Sequence, residues 1–596
     1  MTRASTRHHV DFSLNRLFLK SESDAEPLRI GVLVDGDMLP AFGRQILDDI
    51  SESSFTTVVC YVVNRAAQPA SPTGAARWRK RLTGIGTTRW WQQIGYLLYV
   101  HFVSRRRQPA PDPERLVSCA DLMAENAVLE IMPQQSRHID RFSTGDVERL
   151  RALKLDVILR FGFRILRGEA LTVARHGIWS FHHGDSTEYR GGPPYIWELI
   201  EGNPRSGVVL QVLREQLDAG PVLARAMFAT ASSLSAAENA FAPYWGGQHF
   251  VIRELNSLHR DRRAHDPVLS SGPAAYRGSR PLYRMPSSGT VARWLARVAA
   301  RRLVDRALTL RRNAHWRVAL RRSETPLYAE PTRGALQEFR WIEGPADAFW
   351  ADPFLLERAG HTWLFFEELD YRTDKGSLRC GRLSESGELL DVRTVLARPY
   401  HLSYPHVFSH EGEVFMLPES EESGTVDLYR ARRFPDDWIL ERTLLNIKTV
   451  DSTVFEVDER WWMLTSPMIV DSHAPITYAF TAPSLFGPWT LASNTPVSDD
   501  VRHARCGGQV FRHQSELWQP AQDCSGRYGR ALVFTKLRVG LHGISKSVAT
   551  VIEPNWLPRM VGTHSYNRAG PWEAIDGLFL ERRLTQELGR GPPMVR

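Results

Sequence analysis

The sequence predicts an open α/β domain first, a helical and basic connector next, and an all-β domain of repeated units last. Three observations carry this. Two continuous apolar runs near the N-terminus, residues 28–34 and 57–63, flank a stretch with helical spacing. Strands apolar on both faces and joined through a helix argue for a parallel sheet covered on both sides. From about residue 323 the texture changes to short β-type runs with turn residues between them. Those runs recur about every 50 residues, the size of a four-stranded propeller blade, and about five can be counted.

A chain of 596 residues holds about three domains. With 43% apolar and 24% charged residues it is globular rather than disordered. The net charge of +8 favours anionic partners such as phosphates, nucleotides or acidic lipid surfaces; a solvated basic surface is the plainer explanation. Cys60, Cys119, Cys380, Cys506 and Cys524 are scattered and form no CxxC pair. Neither a disulfide framework nor a metal site is predicted. The N-terminus has no apolar core of a signal peptide, and the longest apolar run, residues 94–103, is too short to span a bilayer. These features predict a cytoplasmic protein.

Residues 1–27 are polar and are expected to form a loose tail. The first strand ends at Asp35-Gly36, and Leu39, Phe42, Ile46, Leu47 and Ile50 then share about one helical face. No Gly-x-Gly-x-x-Gly follows that strand, so a dinucleotide fingerprint is absent. Residues 66–115 interleave Arg79-Lys80-Arg81, Arg89-Trp90-Trp91 and Arg105-Arg106-Arg107. A surface hairpin with snorkelling side chains explains them better than a grip on a nucleotide or sugar phosphate. Residues 144–153 read as a helix, and 155–163 as a buried strand with a tight exit.

The most informative stretch follows, residues 177–223. It holds Ser180, His182, His183 and Asp185, then Tyr189-Arg190-Gly191-Gly192, then Leu217-Asp218-Ala219-Gly220. A strand carries an imidazole to its end, a glycine-rich turn follows, and a carboxylate arrives later on another loop. Histidine with a carboxylate is the minimal kit for proton transfer.

On these residues the stretch resembles the folate-dependent formyltransferases, which include methionyl-tRNA, glycinamide ribonucleotide and sugar-amine enzymes. Their pattern runs Gly-x-x-Asn-x-His, Ser-Leu-Leu-Pro, Tyr-Arg-Gly, Leu-Asp-x-Gly. The resemblance covers residues 28–235 and implies a Rossmann-like fold, a 10-formyltetrahydrofolate donor and a primary-amine acceptor. It places His182 and Asp218 on the family's histidine and aspartate. Ser180 falls on its asparagine, and Gly184-Asp185-Ser186-Thr187 replaces Ser-Leu-Leu-Pro. His182, Asp218 and Ser180 are therefore the expected catalytic residues. His183, Asp185, Tyr189, Arg190, Gly191 and Gly192 are expected to bind substrate or donor. A serine has one hydroxyl donor where an amide has two.

Residues 236–322 form the connector. Its stretch 291–312 spaces Trp294, Leu295, Val298, Leu303 and Leu310 among Arg293, Arg297, Arg301, Arg302, Arg306, Arg311 and Arg312. Such a helix lies on an anionic membrane or, more commonly, packs across two domains.

In the repeats of residues 323–596, Asp352, Tyr404, Asp451 and Gly507 take equivalent places at the start of inner strands. Asp352 and Asp451, with Glu367 and Glu419 one strand later, supply an acid/base pair in one reading and turn caps in the other. The repeats resemble the five-bladed arabinanase- and invertase-type glycoside hydrolases. They more closely resemble the propeller-like region of plant glucosamine inositolphosphorylceramide transferases, through Gln522-Asp523-Cys524, Tyr528-Gly529 and Gly562-Thr563-His564. The candidate site is Asp352, Glu367, Glu419, Asp451, Gln522 and His564.

The first expectation is an N-formyltransferase acting on an amino sugar or sugar nucleotide, with a glycan-handling propeller. The second is a carbohydrate-active propeller enzyme, a glycosidase or glycosyltransferase, with an altered N-terminal domain. The third is a non-catalytic protein that binds glycan or an anionic membrane surface. Nucleic acid is not a favoured partner.

Overall fold

The computed structural model describes residues 10–66, 88–104, 109–136, 138–217, 220–261, 280–309, 312–470, 475–541 and 543–582. The chain divides into two units, Met1–Val298 and Ala299–Arg596.

The first unit is built on a seven-stranded sheet. Its strands are β1 (Leu28–Val34), β2 (Thr56–Asn64), β3 (Ala127–Ile131), β4 (Val157–Arg160), β5 (Ile178–His182), β6 (Arg205–Val212) and β7 (Val222–Ala229). Their spatial order is β7-β6-β5-β4-β1-β2-β3. The five strands from β3 to β5 run parallel, and β6 and β7 add antiparallel. The order reverses beside β1, between β1 and β4. In open α/β sheets the crevice outside the carboxyl ends of such strands is where ligands sit. The helix Ala41–Glu52 turns Phe42, Ile46, Leu47 and Ile50 inward, as its spacing predicts.

The expected loose tail at 1–27 is corrected over residues 10–27. Ser13–Phe18 forms a 3-10 turn that buries Leu14 and Phe18, and Asn15 Nδ2 donates to Asp49 Oδ2 at 2.7 Å. Two apolar anchors in a polar stretch were too few to show a period. Of residues 66–115, Thr88–Tyr99 is helical. Arg79-Lys80-Arg81 and Arg105-Arg106-Arg107 lie outside the described residues.

The connector also differs from expectation. Helices Ala236–Gly247 and Phe250–Arg260 belong to the first unit. The helix Ser288–Thr309 runs through the division between units. Val291 and Trp294 on its first turns pack with Tyr99, Ile196 and Leu199. The strand Arg312–Arg322 pairs along its whole length with Trp572–Arg582. The all-β region therefore reaches back past residue 323. Trp316, Val318 and Leu320 alternate inward on that strand, a period obscured by its arginines.

Among its described residues the second unit has four antiparallel four-stranded sheets in chain order, within residues 348–396, 403–445, 449–491 and 511–552. A fifth sheet joins Arg312–Arg322 and Arg340–Trp341 to Met560–Gly562, Tyr566–Ala569 and Trp572–Arg582. The two ends of the unit thus meet in one sheet. The first strands of the first three four-stranded sheets each carry a bulge at the repeat position, where the ladder slips at Ala351/Phe354, Ser403/His406 and Val450/Thr453. Asp352, Tyr404 and Asp451 occupy those bulges in left-handed conformations, with φ of +50°, +45° and +48°. Each costs roughly 1–3 kcal/mol for a residue other than glycine, so the surrounding contacts must hold it. Bulges re-aim side chains: Asp352 meets His564 and Asp451 meets Arg505 in the interior, while the Tyr404 ring packs against Phe354 and its hydroxyl against Thr453.

Candidate functional site

Ser180 and His182 are two residues apart on β5, so their side chains leave the same face of the sheet. Both stand near the strand's carboxyl end, next to the crevice. Arg160 ends the neighbouring strand β4, and its Nη1 donates to Ser180 Oγ at 3.1 Å. Its Nη2 donates to the carbonyls of Phe163 at 2.9 Å and Arg164 at 3.1 Å. That turn is tied to β1, because Phe163 N donates to Asp35 Oδ1 at 2.7 Å. A Cβ on Gly162 would overlap the backbone of Val34 and Asp35, so the turn needs glycine.

His182 is 8% exposed, and its Nε2 lies 2.9 Å from the Tyr189 carbonyl. A carbonyl only accepts, so Nε2 carries the proton and Nδ1 is the basic nitrogen of the neutral ring. The Tyr189–Gly192 loop is fixed in turn by Tyr283. Tyr283 N donates to Arg190 O at 2.8 Å, and Gly192 N donates to Tyr283 O at 3.2 Å. Gly191 has a φ of +91°, and a Cβ there would overlap Tyr283 O. Tyr189 Oη donates to Glu201 Oε2 at 3.1 Å. Asp185 Oδ1 accepts from Thr187 N at 2.9 Å and from its hydroxyl at 2.7 Å, which closes its own turn.

His183 is not gathered with Ser180 and His182. Its ring lies 4.1 Å from that of Tyr244 and 5.7 Å from that of Phe42, centroid to centroid, and its Nδ1 is buried without a hydrogen-bond partner among the described residues. Burial, helped by His182 and Arg160, lowers its pKa to about 3 and keeps it neutral. Asp218 lies outside the described residues. A carboxyl that sequence reasoning missed is Glu198, 1% exposed on the short helix Trp197–Glu201. Burial pushes its pKa up to about 7, with the charge of His182 opposing. A glutamate among Ile196, Leu199 and Ile200 was the available signal, as was Arg160 inside an apolar strand. Ser180, Arg160 and His182 together supply a hydroxyl, a guanidinium and an imidazole. The hydroxyl and the guanidinium are donors suited to a carbonyl oxygen that gains negative charge. A separate cavity of about 410 Å³, lined by residues 154–156 and 171–175, opens at the opposite, amino ends of β4 and β5.

The second unit gathers all six of its expected residues in one buried cluster. His564 Nδ1 lies 2.6 Å from Asp576 Oδ2, and its Nε2 lies 3.3 Å from Asp352 Oδ1. Burial lowers the His564 pKa, but the two carboxylates outweigh it and raise it to about 9. The ring also packs 4.3 Å from Trp316 and 5.2 Å from Tyr528. Asp451 pairs with Arg505 and accepts from Gln522 Nε2 at 2.6 Å. Arg505 also stands 3.8 Å from Glu419, which accepts from Ser403 Oγ at 2.6 Å. Glu367 lies 3.3 Å from His401 Nε2. Burial, then the charge of Glu419, pushes Glu367 up to about 8. Burial likewise raises Asp352 and Asp451, against His564 for the first and Arg505 for the second. Sequence reading did not name Asp576 or Arg505 as site residues. Ligand atoms of Asp352, His564 and Asp576 lie within 4.8 Å of one another, a set that could also hold a cation.

Residues 112–238 match the family model for formyl transferase, and residues 341–548 match that for glucosamine inositolphosphorylceramide transferase 1, N-terminal. The chain joins one region of each kind. Glucosamine inositolphosphorylceramide transferase 1 of Oryza sativa subsp. indica is 34% identical over 215 residues, 35% of this chain and 28% of the relative. Methionyl-tRNA formyltransferase of Synechococcus sp. (strain WH7803) is 32% identical over 157 residues, 25% of this chain and 42% of the relative. The chain thus spans about a quarter of the first relative and under half of the second. A family 117 glycoside hydrolase, Zg3597, produced by the marine bacterium Zobellia galactanivorans, aligns with 45% of this chain and 90% of its own. Its identity is 12% and its TM-score 0.30. Among the described residues no helix is long and apolar enough to cross a membrane.

Proposed function

We propose that the first unit transfers a formyl group from a 10-formyltetrahydrofolate donor to a primary amine of an amino sugar or sugar nucleotide. The five sheets of the second unit are, in this proposal, the blades of one propeller that handles the glycan part of the acceptor. The observation that carries the reading is the placement of Ser180, Arg160 and His182 at the carboxyl edge of the sheet, beside the point where strand order reverses. The matched formyl transferase region supports it.

The donor supplies an activated formyl carbon. Ser180 donates to the formyl oxygen as it gains charge when the amine attacks, and His182 does so from Nδ1 once that nitrogen is protonated, since its Nε2–H is held by the Tyr189 carbonyl. Asp218 orients His182 or takes the amine proton. Gly191 and Gly192 let the Tyr189–Gly192 loop approach the acceptor closely. Burial at the crevice strengthens each of these interactions relative to water. The test is tetrahydrofolate release in the presence of amino sugars and amino-sugar nucleotides. Turnover by the wild type, abolished in His182→Ala, supports the reading; equal rates in both would remove it.

One observation favours a second activity, on glycosidic bonds. The second unit holds Glu367 as a buried carboxyl that keeps its proton near neutral pH, beside Asp451 held by Arg505. A proton donor next to a carboxylate is what glycoside chemistry uses. Loss of glycan turnover in Glu367→Gln and Asp451→Asn, with formyl transfer intact, would support it. If the cluster only binds glycan, the variants change affinity alone. Cytoplasmic residence belongs to the same proposal. So does contact of the exposed Arg293, Arg297, Arg301 and Arg302 with an anionic lipid surface, read by co-sedimentation with phosphatidylserine vesicles.

A further inference from the structure

We infer that Arg160 is the residue that equips Ser180 for the oxyanion role, and that the two form a small anion site at the carboxyl ends of β4 and β5. The inference rests on the formyl-transfer reading and adds to it a residue and a ligand chemistry.

A serine hydroxyl has one hydrogen and two acceptor positions, and it rotates to suit its neighbours. Here Arg160 Nη1 donates to Ser180 Oγ at 3.1 Å. A guanidinium is a donor only, so it occupies an acceptor position and turns the hydroxyl hydrogen elsewhere. Among the described residues that hydrogen meets only the Phe181 carbonyl, at 3.4 Å. This exceeds the usual O–H···O range of about 2.5–3.0 Å. The hydroxyl is therefore pre-set to donate to a better acceptor, such as a substrate oxygen.

The guanidinium itself is held still. Nη2 is bound by the carbonyls of Phe163 and Arg164, and the turn that presents them is locked by Asp35. Arg160 is always charged, so it also brings a fixed positive charge to the strand ends. The field reaches the neighbouring strand, where it helps hold His183 neutral. An amide at position 180 would offer two N–H donors and no charge. A serine backed by a guanidinium offers one O–H donor, oriented in advance and polarised by a cation. The chemistry recognised is a carbonyl oxygen carrying negative charge, or a small carboxylate of the same shape. Arg160 acts through Ser180 and is a positioning residue.

The probe is ¹³C-formate, titrated by NMR into the full-length protein, beside steady-state formyl transfer. Arg160→Met is expected to weaken formate binding at least tenfold. It should lower kcat by roughly 10²–10³-fold while leaving the amine KM within about twofold, as removal of an oxyanion donor does. Arg160→Lys should restore part of the formate affinity, because charge returns without the fork. Should Arg160→Met fail to fold, Ser180→Ala probes the same pair: weaker formate binding and a lower kcat support it, and unchanged values overturn it. Formate bound equally well by wild type, Arg160→Met and Ser180→Ala overturns the inference. So does a loss in Arg160→Met that falls on KM alone. The two readings fail separately. Arg160-dependent formate binding with no formyl transfer to any amine sinks the proposed activity and leaves the anion site. Formyl transfer with kcat indifferent to Arg160 does the reverse.

Discussion

Tyr404 and Gly508 tie the second sheet of the all-β unit to the segment that leads into the fourth: Gly508 N donates to Tyr404 Oη at 2.8 Å, and that hydroxyl is 3.0 Å from Gly508 O. Thr453 Oγ1 on the third sheet lies 2.8 Å from the same oxygen. The backbone of Tyr404 donates to Asp352 Oδ2 and that of Asp352 to Asp576 Oδ2, each at 3.3 Å. Gln509 N donates to Asn567 Oδ1 at 2.9 Å. These contacts thus link the first, second, third and fifth sheets and the segment that enters the fourth. They explain how three left-handed residues are tolerated at the bulges, since each is held from a neighbouring sheet.

Tyr404→Phe removes the hydroxyl and leaves the buried Gly508 N–H without its acceptor. An unsatisfied buried polar group costs about 1–3 kcal/mol. The urea midpoint of the second unit should fall accordingly, with an unchanged slope.

Arg321 and Glu573 form a buried pair in the fifth sheet, at 2.7 Å between Nε and Oε2. Glu573 also accepts from Leu327 N at 2.7 Å and from the Tyr566 hydroxyl. Glu573→Ala leaves the buried guanidinium with Glu338, 3.3 Å from its Nη1, as its remaining carboxylate; breaking a buried pair costs about 3–5 kcal/mol, and Glu338 offsets part of that. Thermal unfolding should show a loss several times that of Arg432→Ala, whose partner Asp437 is on the surface.

Glu367 and His564 should each cost the second unit stability as pH rises. Glu367 holds its proton to about pH 8 when folded, against an ordinary value of 4.5, so its contribution is full below 4.5 and fades as pH rises to 8. His564 is raised from 6.5 to about 9, so its contribution is full below 6.5 and fades toward 9. The two add with the same sign. In the first unit His183 works oppositely: it is lowered from 6.5 to about 3, and its contribution fades as pH falls through that window. Melting curves from pH 4 to 9, taken for wild type beside each variant, separate these contributions from those of Glu198, His406 and His503, which titrate in the same window. Glu367→Gln should flatten the alkaline limb and His183→Phe the acid one.

The broad architecture was legible because its signals are periodic. Apolar runs at 28–34 and 57–63 became β1 and most of β2, and the spacing of Phe42, Ile46 and Leu47 became one helix. Three of the four repeat positions share a left-handed bulge, Asp352, Tyr404 and Asp451, whereas Gly507 precedes the first strand of the fourth sheet. What stayed hidden was contact between strands. Arg160 and Ser180 are twenty residues apart and meet only because β4 and β5 lie side by side. Asp576 meets His564 through a tight return of the last strand, and Arg505 reaches Asp451 across sheets. His183, adjacent to His182, alternates to the other face and packs among aromatic rings, an outcome that motif spacing does not encode. The strand Arg312–Arg322 was masked by its own basic residues.

Gly191 sets the closest approach in the loop after β5. Gly191→Ala must push its new Cβ clear of Tyr283 O and must bear a φ of +91°. The variant should lose formyl transfer at least tenfold, while the melting temperature of the second unit stays unchanged.

The central claim is chemistry at His182, and tetrahydrofolate release measured with amino sugars, for wild type beside His182→Ala, tests it most directly. The account predicts amine-dependent release by the wild type and a loss of at least a hundredfold in the variant, with both proteins equally folded by circular dichroism. Release that is independent of the amine, or equal in the two proteins, would contradict it.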